Sequence, residues 1–227
     1  MAACLWPATP APAETIASAR FTQPTTRYAH GVLGDAVEWG ALEMTLAGGG
    51  TRTVTLPDTS VFEDLVPRLA DLDGDGAPEV VVVETDMATG ASLAVYGPRG
   101  KIAATPHIGQ PNRWLAPAGI GDLDGDGHVE LAYVDRPHLA RTLRIWRFAE
   151  GALTEIARIP DLTNHRIGDP FITGGLRDCD GAPELILASA DWSRLIAIRH
   201  AGGWRTRDLA PFPGRRGVES AMACRPY

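Results

Sequence analysis

No stretch of this chain approaches the ~18 consecutive apolar residues of a membrane-spanning helix. No run of basic residues marks a surface that would track a phosphate backbone. The sequence therefore points to neither a membrane span nor a nucleic-acid partner. Helical periodicity is weak throughout. A nucleophile elbow, a zinc triad, a phosphate-cradling loop and a dinucleotide fingerprint are all missing, so no enzyme class is favoured. Cysteine is scarce, with three in 227 residues. What the chain does have is 44% hydrophobic residues, enough to build the core of one all-β domain. Its formal charge is −7. Eight of the acids sit in two short loops, so the acidity is local and the rest of the chain is close to neutral.

Those two loops organise the chain. The first is Asp71-Leu72-Asp73-Gly74-Asp75-Gly76-Ala77-Pro78-Glu79, followed by the apolar run Val80–Val83. The second begins 51 residues later as Asp122-Leu123-Asp124-Gly125-Asp126-Gly127-His128-Val129-Glu130, followed by Leu131–Val134. Each places carboxylates at positions 1, 3, 5 and 9. Four carboxylates in nine residues repel one another, and a hard cation with six to eight oxygen ligands removes that repulsion. Calcium is the expected ion. Its ligands would be Asp71, Asp73, Asp75 and Glu79 with a carbonyl at Ala77, and Asp122, Asp124, Asp126 and Glu130 with a carbonyl at His128. The loop is not an EF-hand, which closes with Glu at position 12 and is flanked by helices. A third copy, Asp178-Cys179-Asp180-Gly181-Ala182-Pro183-Glu184, lacks an Asp-Gly pair. It keeps only Asp178, Asp180 and Glu184, which leaves a third site in doubt.

This pattern resembles the calcium-binding FG-GAP or VCBS repeat of integrin-α-type β-propellers, over roughly residues 60–200. The resemblance implies blades of four antiparallel strands, with the acidic loop joining the first and second strands of a blade. A second marker agrees. Gly50, Gly100, Gly151 and Gly203 recur at spacings of 50, 51 and 52 in polar turns between short β-like runs. Four repeats follow, at about 14–57, 61–107, 113–159 and 166–210, within a small four-bladed propeller over 14–213. Second strands such as Val80–Val83 are apolar at successive positions, as expected of a strand covered on both faces. In the first repeat the position 51 residues before Asp71 is Arg20. The expected strands there are Ile16–Ala19, Tyr28–Leu33, Leu42–Leu46 and Thr53–Leu56, around a metal-free loop at 20–27.

Residues 1–13 lack a basic start and are rich in proline, but Ala11-Pro12-Ala13 has the small-x-small form of a signal cleavage site. They read either as the remnant of a signal peptide or as a disordered tail. A signal remnant and calcium loops both suit a periplasmic or extracellular protein. If Cys4 belongs to the processed segment, Cys179 and Cys224 remain as a pair. A disulfide between them would pin the tail 214–227 to the last blade; the alternative is two separate buried thiols.

In a propeller the connections alternate between two faces. Opposite the acidic loops, the inter-blade connections carry Asn112, Arg113 and Trp114, then Asn164, His165 and Arg166. Connections within blades carry Asp135, Arg136 and His138. Arginine, histidine and tryptophan converging there are the candidate binding set for a protein, a glycan or a small anionic ligand. The competing reading is a wet loop surface whose polar groups only cap strands. Three functions stay open: a binding propeller, an assembly module that docks a partner, and an enzyme using Asp135, His138, His165 and Arg166.

Overall fold

The computed structural model describes residues 14–226; the segment 1–13, with its signal-like pattern, lies outside the described residues. Among the described residues the fold is all-β and antiparallel, with one short helix near the C-terminal end. The first sheet is β1 (Ile16–Thr25), β2 (Glu38–Leu46) and β3 (Thr51–Thr55). Next come β4 (Ser60–Phe62) and β5 (Arg68–Ala70), which pair with opposite halves of β6 (Glu79–Asp86) and together make one interrupted strand. β7 (Gly90–Gly97) and β8 (Gly100–Ala104) complete the second sheet. A bridge between Trp39 and Phe62 ties β2 to β4, merging the first two sheets at one edge.

The third sheet is β9 (Leu115–Gly121), β10 (Val129–Asp135), β11 (Thr142–Ala149) and β12 (Ala152–Ile159). The fourth repeats the interrupted strand: β13 (Leu162–Thr163) and β14 (Gly175–Asp178) both pair with β15 (Pro183–Ser189). β16 (Arg194–His200) and β17 (Trp204–Pro211) follow, and then α1 (Gly214–Met222).

The sheets stack through three apolar layers. Leu42, Met44 and Phe62 meet Val80 and Val82 between the first and second sheets. Val81, Val83 and Leu93 meet Leu131 and Tyr133 between the second and third. Val134 and Ile145 meet Leu185 and Leu187 between the third and fourth. Alternate residues of β6 thus face two different sheets, and every residue from Glu79 to Thr85 is buried. This is why its sequence is apolar at successive positions. The expected turns at Gly50, Gly100, Gly151 and Gly203 are present, each glycine with a positive φ, a conformation that side chains with a Cβ resist.

The first repeat differs from its expected layout. Arg20 lies inside β1, and residues 28–33 form bends and turns rather than a strand. The first sheet has three strands among the described residues, and β1 occupies the second-strand place. The connection 26–37 that follows it lies with the connections opposite the acidic loops: His30 meets Glu63, and the Asn112 N–H donates to the Tyr28 hydroxyl. At the other end Glu14, paired with Arg52, lines the same cavity as Asp73, Asp75 and Glu79. The fixed 51-residue offset fails here because the connection 26–37 is much longer than its counterpart at 87–89.

The tail forms a helix rather than an edge strand. Val218, Ala221 and Met222 fall on one helical face and cover Ile186, Leu195 and Ala197 of the fourth sheet. Cys179 and Cys224 form a disulfide, with Cα atoms 5.6 Å apart. Among the described residues no apolar layer joins strands of the fourth sheet to strands of the first; a backbone hydrogen bond from Gly168 N–H to the Val32 carbonyl, 3.1 Å, links their connections.

Candidate functional site

The chain presents two candidate sites at opposite ends of its sheets. At one end lie the acidic loops. Gly74, Gly76, Gly125 and Gly127 all take positive φ, which lets each loop curl around its first aspartate. Asp71 accepts from the N–H groups of Gly74 and Gly76, at 2.8 and 2.9 Å. Asp122 does the same with Gly125 and Gly127, at 2.7 and 3.0 Å. The closing glutamates are buried and fold back onto the loops: Glu79 accepts from Leu72 N–H and Glu130 from Leu123 N–H. In each loop three carboxylates converge with oxygens within 4.8 Å of one another: Asp71, Asp73 and Glu79, then Asp122, Asp124 and Glu130. Burial first, and then the neighbouring loop aspartates, hold the carboxyls of Glu79 and Glu130 above their ordinary range.

The carboxylates of Asp75 and Asp126 are not in these clusters. Asp75 accepts from Ala77 N–H, and Asp126 accepts from His128 N–H and pairs with Arg147. The donor set fits a hard cation, and one detail supports this directly: Oδ1 of Asp124 is buried with no hydrogen-bond donor. At the third corner no such cluster forms among the described residues. Asp178 accepts from Gly181 N–H, Asp180 pairs with Arg199, and Glu184 is held by Arg177 and Arg207. Arginines stand there in place of an ion.

At the other end the residues expected to bind a ligand divide into two groups. Asn112, Arg113, Arg136 and His138 line one pocket of about 240 Å³. Arg113 has no carboxylate partner among the described residues, whereas Arg136 is paired with the buried Asp135 at 2.8 Å. Trp114 reaches the pocket but is 2% exposed; its indole N–H donates to the Glu63 carbonyl, so it serves as packing. Asn164 and His165 are buried behind the pocket, Asn164 donating to the carbonyls of Ala116 and Pro117. Arg166 lies elsewhere, its guanidinium 4.2 Å from the centre of the Trp192 ring.

His138 and His165 are joined, Nε2 of the first 3.0 Å from Nδ1 of the second. Nε2 of His165 sits 2.9 Å from the Asp169 carbonyl, which can only accept. The neutral pair is therefore ordered: His165 donates to Asp169, His138 donates to His165, and Nδ1 of His138 is the remaining acceptor. Burial and the neighbouring His165 push His138 down to about 4, so it is uncharged at neutral pH.

The sequence reading missed His30, Leu139 and Ile167, which complete the lining. His30 falls within the strand that the sequence predicts over Tyr28–Leu33. Leu139 and Ile167 are 64% and 73% exposed, and an apolar residue in a loop carries no pattern of its own.

Comparison with known proteins agrees with the fold and with the loop end. Residues 71–133, which hold both acidic loops and the second-to-third sheet junction, match the family described as FG-GAP-like repeat. That segment is thus similar to an FG-GAP-like repeat, in agreement with the propeller-like all-β fold. No curated protein and no solved structure matches it. Among the described residues no helix is long and apolar enough to cross a membrane, and the disulfide is a bond characteristic of oxidising compartments.

Proposed function

We propose that this chain is a calcium-stabilised binding module of the periplasm or extracellular space that recognises an anionic group on a protein or glycan. Calcium in the two intact loops would be held by Asp71, Asp73 and Glu79, and by Asp122, Asp124 and Glu130. When bound it supplies the positive charge that lets these carboxylates crowd together. The observation that carries the recognition reading is the pocket assembled from four separate connections. Arg113, whose Nη1 donates to the Asn112 carbonyl, offers it a guanidinium with no carboxylate partner among the described residues, the group best suited to a carboxylate or sulfate. Beside it the uncharged His138 offers an acceptor for a hydroxyl or amide. A carboxylate or sulfate on a sugar, or an acidic side chain beside a peptide amide, presents both partners.

Titration of glucuronate and sulfate into the protein, followed by backbone amide NMR, tests this reading. Shifts clustered at Asn112, Arg113, Arg136 and His138, lost in Arg113→Ala, are the expected result. Shifts scattered over all arginines would sink it. A second reading is favoured by the exposed Leu139 and Ile167 on the pocket rim: docking of a partner protein, with the anion carried on its side chain. It predicts that Ile167→Asp abolishes capture of that partner while leaving small-anion shifts in place.

A further inference from the structure

The two intact loops have nearly the same sequence but different surroundings. Across the β10–β11 ladder, Glu130 stands opposite Arg147. The Arg147 guanidinium fills the centre of the loop, 2.5 Å from Asp124, 2.7 Å from Asp126 and 2.9 Å from Glu130. The matching place in the second sheet, one step beyond the Val80–Tyr96 pair, is Gly97 opposite Glu79. With no side chain there, a cavity opens beside Asp73, Asp75 and Glu79. In the fourth sheet the place belongs to Arg199, one step beyond the Leu185–Ile198 pair, and its guanidinium is bound to Asp180 at 3.1 Å. At this one strand position the Asp71 corner has no side chain, whereas the other two corners have an arginine bound to a loop aspartate.

We propose that Arg147 is a built-in counter-ion that competes with calcium for the Asp122 loop, so that the two intact loops fill at different calcium concentrations. The proposal rests on the reading that both loops bind calcium. In the Asp71 loop, with Gly97 opposite, no cation is paired with the carboxylates among the described residues; Arg99 and Lys101 line the cavity, Lys101 bound instead to Glu84, so this loop fills first. The Asp122 loop already has three carboxylates satisfied by charge-assisted hydrogen bonds. Calcium enters there only by displacing the guanidinium, since two cations cannot share one small set of carboxylates without strong repulsion. The buried Asp124 Oδ1, which the guanidinium does not reach, is the oxygen left for the ion. The chain thus has one corner sensitive to calcium at low concentration, one that responds only to high calcium, and a third that has dispensed with it.

Calorimetric titration of chelator-stripped protein with calcium chloride tests this. The wild type is expected to show two phases at least tenfold apart in affinity. Arg147→Gln should tighten the weaker phase at least tenfold and leave the tighter one unchanged. In chelator, Arg147→Gln should also melt below the wild type and regain the difference on adding calcium. The converse variant, Gly97→Arg, keeps Arg147 and tests the idea even if Arg147→Gln does not fold. A Cβ at Gly97 meets only the flexible end of Ile102, at 3.0 Å. Gly97→Arg should weaken the tighter phase, and the uncharged control Gly97→Gln should not. Two phases of equal affinity in the wild type, no change in the weak phase on removing Arg147, or equal weakening by Gly97→Arg and Gly97→Gln would each overturn the proposal while leaving calcium binding intact. A titration with no calcium heat in any variant would overturn the calcium reading beneath it.

Discussion

At one end of the sheets this protein keeps its loop aspartates in exposed or half-buried turns, and at the other it buries Glu38, Glu63 and Asp64. Asp71, Asp73 and Asp75 meet water, so an ion from solution can balance them. Glu38, Glu63 and Asp64 are 2%, 0% and 2% exposed, beyond reach of a solvent ion, and each needs a partner from the chain. Asp64 has one in Arg68 and in the N–H groups of Leu65 and Val83. Glu63 has His30 and the Thr85 hydroxyl. Glu38 has no such partner among the described residues; burial first, and then the charge of Glu63, push it up to about 9, so it stays protonated at neutral pH. The loop end can therefore be tuned by ionic conditions, while the connection end is set by hydrogen bonds and by pH.

The strongest way to break this contrast is at the corner that belongs to the loop end yet holds no metal cluster. The Cys179–Cys224 bond closes a separation of 45 residues. Loop closure of that size corresponds to about 4 kcal/mol. Reduction, or Cys224→Ser, should lower the melting temperature by roughly 10 °C, with or without chelator, as read by circular dichroism. A loss that appeared only in chelator would mean that this corner depends on metal after all. The next largest effect belongs to the intact loops. Calcium at 100-fold over its dissociation constant should stabilise by about 2.7 kcal/mol, and Asp71→Asn should remove the greater part of that gain. An unchanged melting temperature on adding chelator would remove the distinction between the two ends.

Much of the loop end was legible in the sequence, because its chemistry is local. Asp71 to Glu79 and Asp122 to Glu130 state their spacing in nine residues, Val80–Val83 states burial on both faces, and the pairing of Cys179 with Cys224 followed from setting Cys4 aside. The connection end was less legible, because its partners meet across the fold. His30 reaches Glu63 only once β1 is recognised as a second strand, and no acidic loop marks that register. Arg147 carries no motif; only the pairing of β10 with β11 places it among the carboxylates. Helix α1 had a signal in the spacing of Val218, Ala221 and Met222, hidden by the glycine and arginines before it.

Glu38 sharpens the contrast from the buried side. Its carboxyl binds a proton in the folded state up to about pH 9 but loses it near pH 4.5 when unfolded. Between those values the folded state holds more protons, so stability falls as pH rises. Glu38→Gln removes that slope and should stabilise the protein by roughly 2 kcal/mol at pH 8, with little effect at pH 4.5. Urea denaturation at the two pH values measures it. A destabilised Glu38→Gln at pH 8 would show instead that the ionised carboxylate has a partner at the connection end.

His138 gives the smallest effect, with the opposite sign. Folding holds its ring neutral down to about pH 4, against an ordinary value near 6.5. Below pH 6.5 the unfolded chain takes up a proton that the folded ring refuses, so stability is lost as pH falls from 6.5 towards 4. The ring is half-buried and partly screened by water, which limits the loss to about 1 kcal/mol at pH 5. His138→Gln should flatten this acid limb, leave the alkaline limb set by Glu38 in place, and do so equally in calcium and in chelator. If adding calcium shifted the acid limb of the wild type, the two ends would be coupled through the sheets between them. The division between an ion-tuned end and a proton-tuned end would then give way to a single linked system.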